Sequence, residues 1–215
     1  MRTQKQAAVA KEGTADRIRE AADELFCRVG YDAVSVRDVA ERAGVNKALV
    51  FYHFKSKADL FEHVVERYYD AHRRALADAF GAEGDARERI HRMLDAYLDF
   101  MAENVRYAVL VQQQISNPET HPLVEKNLVP LYRWIEHALS EVAPHEGPSG
   151  ARQLFVTFSG LVINYFTYAP LLARVWQRDP FGRAMLDERR RHAHWLVDLV
   201  LDDLERGAKK GKRPR

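Results

Sequence analysis

Apolar residues recur at steps of three and four along nearly the whole chain. Ile18, Ala21, Ala22, Leu25, Phe26 and Val29 share one face of a predicted helix over residues 14–29, which Gly30 ends. Leu60, Phe61, Val64, Val65, Tyr68, Tyr69, His72, Leu76 and Phe80 carry the same step through a longer helix, stopped by G-A-E-G at residues 81–84. Further helices are expected at residues 85–104, 106–116, 123–142, 149–176 and 181–205. The breaks between them fall at N-P (117–118), A-P-H-E-G-P (143–148) and D-P (179–180). No stretch alternates with period two, so with two short helices near residue 40 the pattern predicts an all-α chain of about nine helices.

The last two helices are apolar over too wide an arc for one buried face. Leu154, Phe155, Phe158, Leu161, Val162, Ile163, Tyr165, Phe166, Leu171 and Leu172 nearly encircle one, and Trp195, Leu196, Val197, Leu199, Val200, Leu201 and Leu204 crowd the other. Such surface fits burial against the chain's own core on one side and a second copy on the other, so a homodimer through these helices is expected. Residues 153–173 carry no charge and could span a bilayer by length. Thr157, Ser159, Asn164, Thr167 and Pro170 fit lipid poorly, so a helix buried in protein is expected, with no membrane partner.

Composition narrows the setting. The 215 residues suit one large or two small domains, and 47% hydrophobic content supplies a substantial core. With 33 Lys+Arg against 31 Asp+Glu the net charge is +2, so attraction to a polyanion must come from a local patch. Cys27 is the single cysteine, which excludes an intramolecular disulfide and a thiolate zinc cluster and suits a reducing compartment. The start M-R-T-Q-K-Q-A-A-V-A-K lacks a signal-peptide apolar run, so a cytoplasmic location is expected.

A local patch does exist. The stretch G-V-N-K-A-L-V-F-Y-H-F-K-S-K, residues 44–57, holds three lysines, a histidine and three aromatic residues and no acid. Before it stands V-S-V-R-D-V-A-E-R-A-G, where Ser35 and Asp38 form a predicted capping box with Val34 and Val39 as its staple, so a helix begins at Val36. Ala40 and Gly44 suit close packing and a left-handed turn, and Asn46 caps the next helix with Val45 and Val50 as staple. Two short helices joined this way make a helix-turn-helix. If Val50 and Phe54 face the core, Ala48, Leu49 and Tyr52 point away, with Lys47 and Phe51 at the margins. That face is poorly made for water and well made for a major groove, where phosphates attract lysines and thymine methyls take apolar contact. Ser56 and Asp59 form a second predicted box, which makes Lys57 the first residue of the long helix, where a phosphate would meet free N–H groups and an ammonium together.

The run S-V-R-D-V-A-E-R-A-G-V-N-K-A-L-V-F-Y-H-F-K-S-K-A-D-L resembles the DNA-binding signature of TetR-family (tetracycline-repressor-like) transcriptional regulators. The resemblance covers residues 14–61; beyond it only length, helix count, a Y-F-x-x-A-P segment and the D-P before the last helix agree. It implies a dimeric, ligand-responsive repressor. Residues 1–57 would form the helix-turn-helix domain on a near-palindromic double-stranded operator, and residues 58–205 the ligand-binding and dimerisation bundle. Residues 206–215 are a basic tail, read as a DNA arm, a membrane-surface contact or a solvated end. In that family the positions matching Ser35, Arg37, Asn46, Lys47, Ala48, Leu49, Phe51, Tyr52, His53 and Lys57 commonly touch DNA. Ala48 stands where glycine is usual, Leu49 where a small polar residue is frequent, and Phe51 where tyrosine is usual. Arg37 and Lys47 are the expected guanine readers, Leu49 the expected thymine contact, and Ser35, Tyr52, His53 and Lys57 the expected phosphate ligands.

The effector cavity is less legible. Tyr97, Met101, Tyr107, Gln113, Phe158, Asn164, Tyr165 and Tyr168 mix apolar walls with isolated polar groups, the make-up of a pocket for an apolar or aromatic small molecule and equally of plain core. No H-E-x-x-H, G-x-S-x-G or G-x-G-x-x-G occurs, so neither an enzyme nor a cofactor is expected. Glu88 and His91 form one E-x-x-H without a second, and His192 and His194 lie about 200° apart on a helix, so no metal is expected. A constitutive regulator with a filled core, and a helical carrier or enzyme, remain the rival readings.

Overall fold

A computed structural model of the chain describes residues 2–116 and 121–211. Among them are ten helices and no strand: α1 (Arg2–Val29), α2 (Val36–Ala43), α3 (Lys47–His53), α4 (Lys57–Gly81), α5 (Ala86–Glu103), α6 (Val105–Ser116), α7 (His121–Leu139), α8 (Ala151–Thr167), α9 (Ala169–Trp176) and α10 (Arg183–Gly211). The all-α expectation is met. The predicted break at Asn117 and Pro118 lies outside the described residues, as do the last four residues of the basic tail.

The helices form two compact units. The first comprises Met1–Tyr69 and Val109–Leu123, the second Asp70–Ala108 and Val124–Arg215. The predicted apolar face of α1 becomes the core of the first unit, where Ile18, Ala22 and Phe26 are fully buried and Phe26 meets Phe61 edge-on at 5.0 Å. One acid shares that core. Asp23 is 1% exposed and accepts the Tyr68 hydroxyl at 2.9 Å on each carboxylate oxygen, with the Arg67 guanidinium 3.8 Å away. Burial, with that carboxylate beside it, pushes the Tyr68 phenol up, so it stays a donor. Tyr69 donates to Gln114 Oε1 at 3.2 Å, and Gln114 donates to the Leu110 carbonyl, so this buried amide is satisfied too.

Helix α1 begins at Arg2, twelve residues before the expected start at Thr14. Apolar periodicity locates only the part of a helix that faces a core, and R-T-Q-K-Q-A-A-V-A-K-E is built of helix-forming residues without such a face.

In the second unit, α5 and α10 are joined by a ladder of charges. Arg87 donates to Asp198, Asp202 and Glu205 at 2.8, 2.6 and 3.0 Å, and Arg190 pairs with Asp95 at 2.6 Å and with Asp99. His91 and His194 stack with ring centroids 4.6 Å apart, hydrogen-bonded to Asp198 and Asp95 at 2.8 and 2.7 Å. Glu88 of the E-x-x-H pair turns to the cap of α5, accepting the Asp85 N–H at 3.0 Å.

The single helix expected over residues 149–176 is two helices, bent by 68° at Tyr168. Pro170 explains the break, since it lacks the N–H that a continuous helix would give to the Phe166 carbonyl. The chain restarts at once, with Leu171 and Leu172 N–H groups both bonded to the Tyr168 carbonyl at 2.9 Å. No single helix among the described residues is long and apolar enough to cross a membrane; α8 and α9 reach that composition only as a bent pair. Helix α7 closes at Leu139 in a series of tight turns, short of the expected residue 142, and α10 continues to Gly211, into the segment expected as tail.

Candidate nucleic-acid interface and ligand cavity

The helix-turn-helix is set by its caps. Ser35 is extended (φ −100°), its hydroxyl accepts the Asp38 N–H at 3.2 Å, and Asp38 returns the contact to the Ser35 N–H at 2.8 Å. The Ser35 hydroxyl and backbone N–H hold the Asp38 carboxyl below the usual carboxylate range. Gly44 takes φ 66°, a left-handed conformation that costs a side-chain-bearing residue about 1–2 kcal/mol, and its N–H and that of Val45 close the end of α2. Asn46 Oδ1 accepts the Leu49 N–H at 2.8 Å and starts α3. Val34, Val39, Val50 and Phe54 are all buried, so the inward faces are those the sequence predicts.

The outward face carries the rest. Arg37, Asn46, Lys47, Ala48, Phe51 and Tyr52 are exposed, Leu49 and His53 are half-buried, and Ser35 is exposed beside its cap. Tyr52 is 66% exposed, with its ring edge-on to His53 at 5.2 Å, so core packing does not hold it. The Lys47 ammonium sits 5.7 Å from the Phe51 ring centroid. A cluster of lysine, arginine and aromatic edges with half an apolar side chain in its middle can meet phosphates and base edges together.

Two details depart from the sequence reading. The second cap is half a box: Ser56 Oγ accepts the Asp59 N–H at 3.0 Å, but the Asp59 carboxylate takes the Lys55 N–H at 2.7 Å. Lys57 is the first residue of α4 as expected, but it is not a freely hydrated lysine. Its ammonium lies 4.2 Å from the Tyr31 ring centroid and donates to the Asp32 carbonyl at 3.4 Å. That tether pre-places the cation at the helix end.

The second unit encloses an apolar cavity of about 440 Å³ of empty space, counted with its mouth. Leu76 of α4, Met93 and Tyr97 of α5, Leu139 of α7, Phe155, Phe158 and Ser159 of α8 and Val197 of α10 line it. Of the eight predicted pocket residues, Tyr97 and Phe158 are in that lining. Met101 is buried in core, Tyr107 is buried against His72, and Tyr165 is buried with its hydroxyl on the Pro180 carbonyl at 2.7 Å. Asn164 and Tyr168 are exposed, and Gln113 belongs to the first unit. The sequence reading missed the aliphatic lining, because a core leucine and a cavity leucine have the same spacing.

A second missed residue is His72. It is 3% exposed, with its ring stacked on Phe100 and Tyr97 at 4.7 Å each and Nδ1 3.0 Å from the Tyr107 hydroxyl. Nε2 is buried and has no hydrogen-bond partner among the described residues. Burial pushes its imidazole down to about 3, so it is neutral at ordinary pH.

Comparison with known proteins bears on the segment that holds the helix-turn-helix. Residues 18–64 match the family model for bacterial regulatory proteins of the tetR family. The chain is 35% identical over 81 residues to the HTH-type transcriptional activator FasR of Mycolicibacterium smegmatis, covering 38% of this chain and 37% of that protein. It is 36% identical over 55 residues to the negative transcriptional regulator of the biofilm operon icaADBC, IcaR, of Staphylococcus aureus (strain Newman), covering 26% of this chain and 30% of that one. The aligned segments thus span about a third of each relative. Over the greater length the likeness is one of fold: the fatty acid degradation regulator FadR of Bacillus halodurans superposes with a TM-score of 0.66 at 16% identity, covering 84% of this chain and 94% of that structure. The helix-turn-helix segment, residues 18–64, is thus similar to the tetR family of bacterial regulatory proteins.

Proposed function

We propose that the chain is a non-catalytic, ligand-responsive transcriptional repressor that grips a near-palindromic operator as a homodimer and releases it when an apolar or aromatic molecule enters the cavity of the second unit. The observation that carries the DNA-binding part is the outward face of α3. Its capped, seven-residue helix presents Lys47, Ala48, Phe51 and Tyr52 to solvent, and no acid lies between residues 44 and 57. Arg37 and Lys47 are assigned to guanine edges, Leu49 to a thymine methyl, and Ser35, Asn46, Tyr52, His53 and Lys57 to backbone and register.

Dimerisation is supported by apolar surface on the second unit. Val156, Leu171, Val175, Trp176, Trp195 and Leu199 of α8, α9 and α10 are all exposed, an unusual concentration for a surface facing only water. A dimer of this kind sets two recognition helices about 34–36 Å apart for successive major grooves. The apolar lining of the cavity supports an apolar effector, and one helix, α4, supplies both Lys57 and Leu76. A ligand that favours one dimer spacing shifts operator affinity by its differential affinity for the two states.

The test is selection of bound duplexes from a random library with the full chain. A palindromic consensus is expected, with Lys47→Ala weakening binding and relaxing one position by about 1–3 kcal/mol, and Leu49→Ser relaxing a thymine position. No enriched sequence, or affinity insensitive to salt, would sink the reading. A reporter driven by the selected operator then reads the sign of regulation.

A further inference from the structure

Four side chains of the second unit, His72, Arg89, His91 and Arg189, each hold a buried nitrogen without a hydrogen-bond partner among the described residues, and His72 is the one packed against a ring of the cavity wall. It lies one turn before Leu76 on α4, so the two share a helix face, and Leu76 lines the cavity. Its ring lies against Tyr97, tilted by only 22°, and Tyr97 also lines the cavity. Tyr97 therefore packs against the imidazole and also lines the empty space. Burial pushes the Tyr97 phenol up, so its hydroxyl stays protonated. One buried polar atom without a partner, His72 Nε2, thus stands behind a lining of leucine, isoleucine, valine, methionine and phenylalanine in which Tyr97 and Ser159 are the only polar residues.

A buried donor or acceptor without a partner is costly in the empty protein, and a ligand that supplies the partner recovers that cost on binding. The lining carries no charged side chain, so a carboxylate or ammonium would lose its hydration there without a counter-charge. A neutral group meets no such penalty. Nδ1 is engaged by the Tyr107 hydroxyl, and Nε2 is donor or acceptor according to which of those two holds the proton. A hydroxyl serves either case and a carbonyl serves one.

We propose that His72 Nε2 is the polar recognition point of this cavity, and that the effector is an uncharged, predominantly apolar molecule whose single hydroxyl or carbonyl reaches past the edge of Tyr97 to bond it. This rests on the reading of the cavity as a ligand site. His72 selects among ligands, and the apolar walls bind whatever body it carries.

The experiment uses three probes with one aromatic body, naphthalene, 2-naphthol and 2-naphthoate, titrated into the full chain and into His72→Phe and His72→Gln. Wild type should bind 2-naphthol about tenfold more tightly than naphthalene and bind 2-naphthoate more weakly than either, the scale expected when an orphaned buried group gains a partner. His72→Phe should abolish the preference for the naphthol and leave naphthalene affinity unchanged, and His72→Gln should restore part of it. Nitrogen-15 spectra of histidine-labelled wild type give a second readout that needs no variant: 2-naphthol should move the His72 Nε2 resonance and naphthalene should not. Equal binding of naphthalene and 2-naphthol, or a preference that survives in His72→Phe with an unmoved Nε2 resonance, overturns the proposal while leaving the cavity a ligand site. Failure of all three probes to bind overturns the cavity reading and the proposal with it.

Discussion

The caps that shape the candidate DNA face join residues three or four positions apart: Ser35 with Asp38, Asn46 with Leu49, Lys55 and Ser56 with Asp59. The contacts that set α5 against α10 in the second unit join residues 91 to 118 positions apart. A reading face framed by neighbours in sequence can keep its geometry while the rest of the chain drifts. A cavity walled by five helices changes shape whenever any of them does. This contrast matches the comparisons, where the family match spans residues 18–64 and the likeness over the greater length is one of fold.

The contrast is incomplete, and the largest expected effect tests it. Asp23 and Tyr68 are 45 positions apart, as are Tyr69 and Gln114, so the first unit also depends on distant pairs. Asp23→Ala leaves the buried Tyr68 hydroxyl without its acceptor and should cost about 3 kcal/mol in urea unfolding. A loss below about 1 kcal/mol would make the first unit as local as its caps suggest. Next comes acid. His72, held near 3, is neutral in the folded chain, while the unfolded histidine titrates near its usual value of 6.5. Below that value the unfolded state binds more protons, so stability is full above about pH 6.5 and falls as pH drops towards 3. Between pH 7 and pH 5 this amounts to about 2 kcal/mol, and His72→Phe should remove that part of the slope.

A smaller effect compares like with like. Ser35→Ala and Asp85→Ala each remove a capping box, one from an eight-residue helix and the other from an eighteen-residue one. The first should cost about 1 kcal/mol and weaken duplex binding; the second should cost about 0.5 kcal/mol and leave it unchanged. Equal effects on duplex binding would erase the distinction between the units. Smallest is Arg87→Ala, whose three carboxylate partners are half-exposed, worth about 0.5 kcal/mol and fading with added salt.

Legibility follows the same division. The start of α2, the glycine turn at Gly44, the Asn46 cap and the first residue of α4 could be read directly, because each is decided by side chains a few positions away. The partner of Asp59 lies one residue from the expected Ser56, the margin by which a carboxylate can choose between adjacent N–H groups. The break at Tyr168 does not show in the apolar period, which runs on through it even though Pro170 stands two residues later. In the sequence His72 is one more member of a helical stripe, and nothing in its neighbours tells a packed imidazole from one with an idle nitrogen.

Helix α3, the proposed recognition helix, has only seven residues, fewer than the roughly 12–15 that an isolated helix needs to persist in water. It therefore exists only while the first unit is folded, so under the proposed function operator binding and folding are linked by mass action. A duplex present at a hundred times its dissociation constant should stabilise the chain by about 2.7 kcal/mol. The midpoint of thermal unfolding then ranks candidate operators, so a melting curve can serve as a sequence-specificity assay.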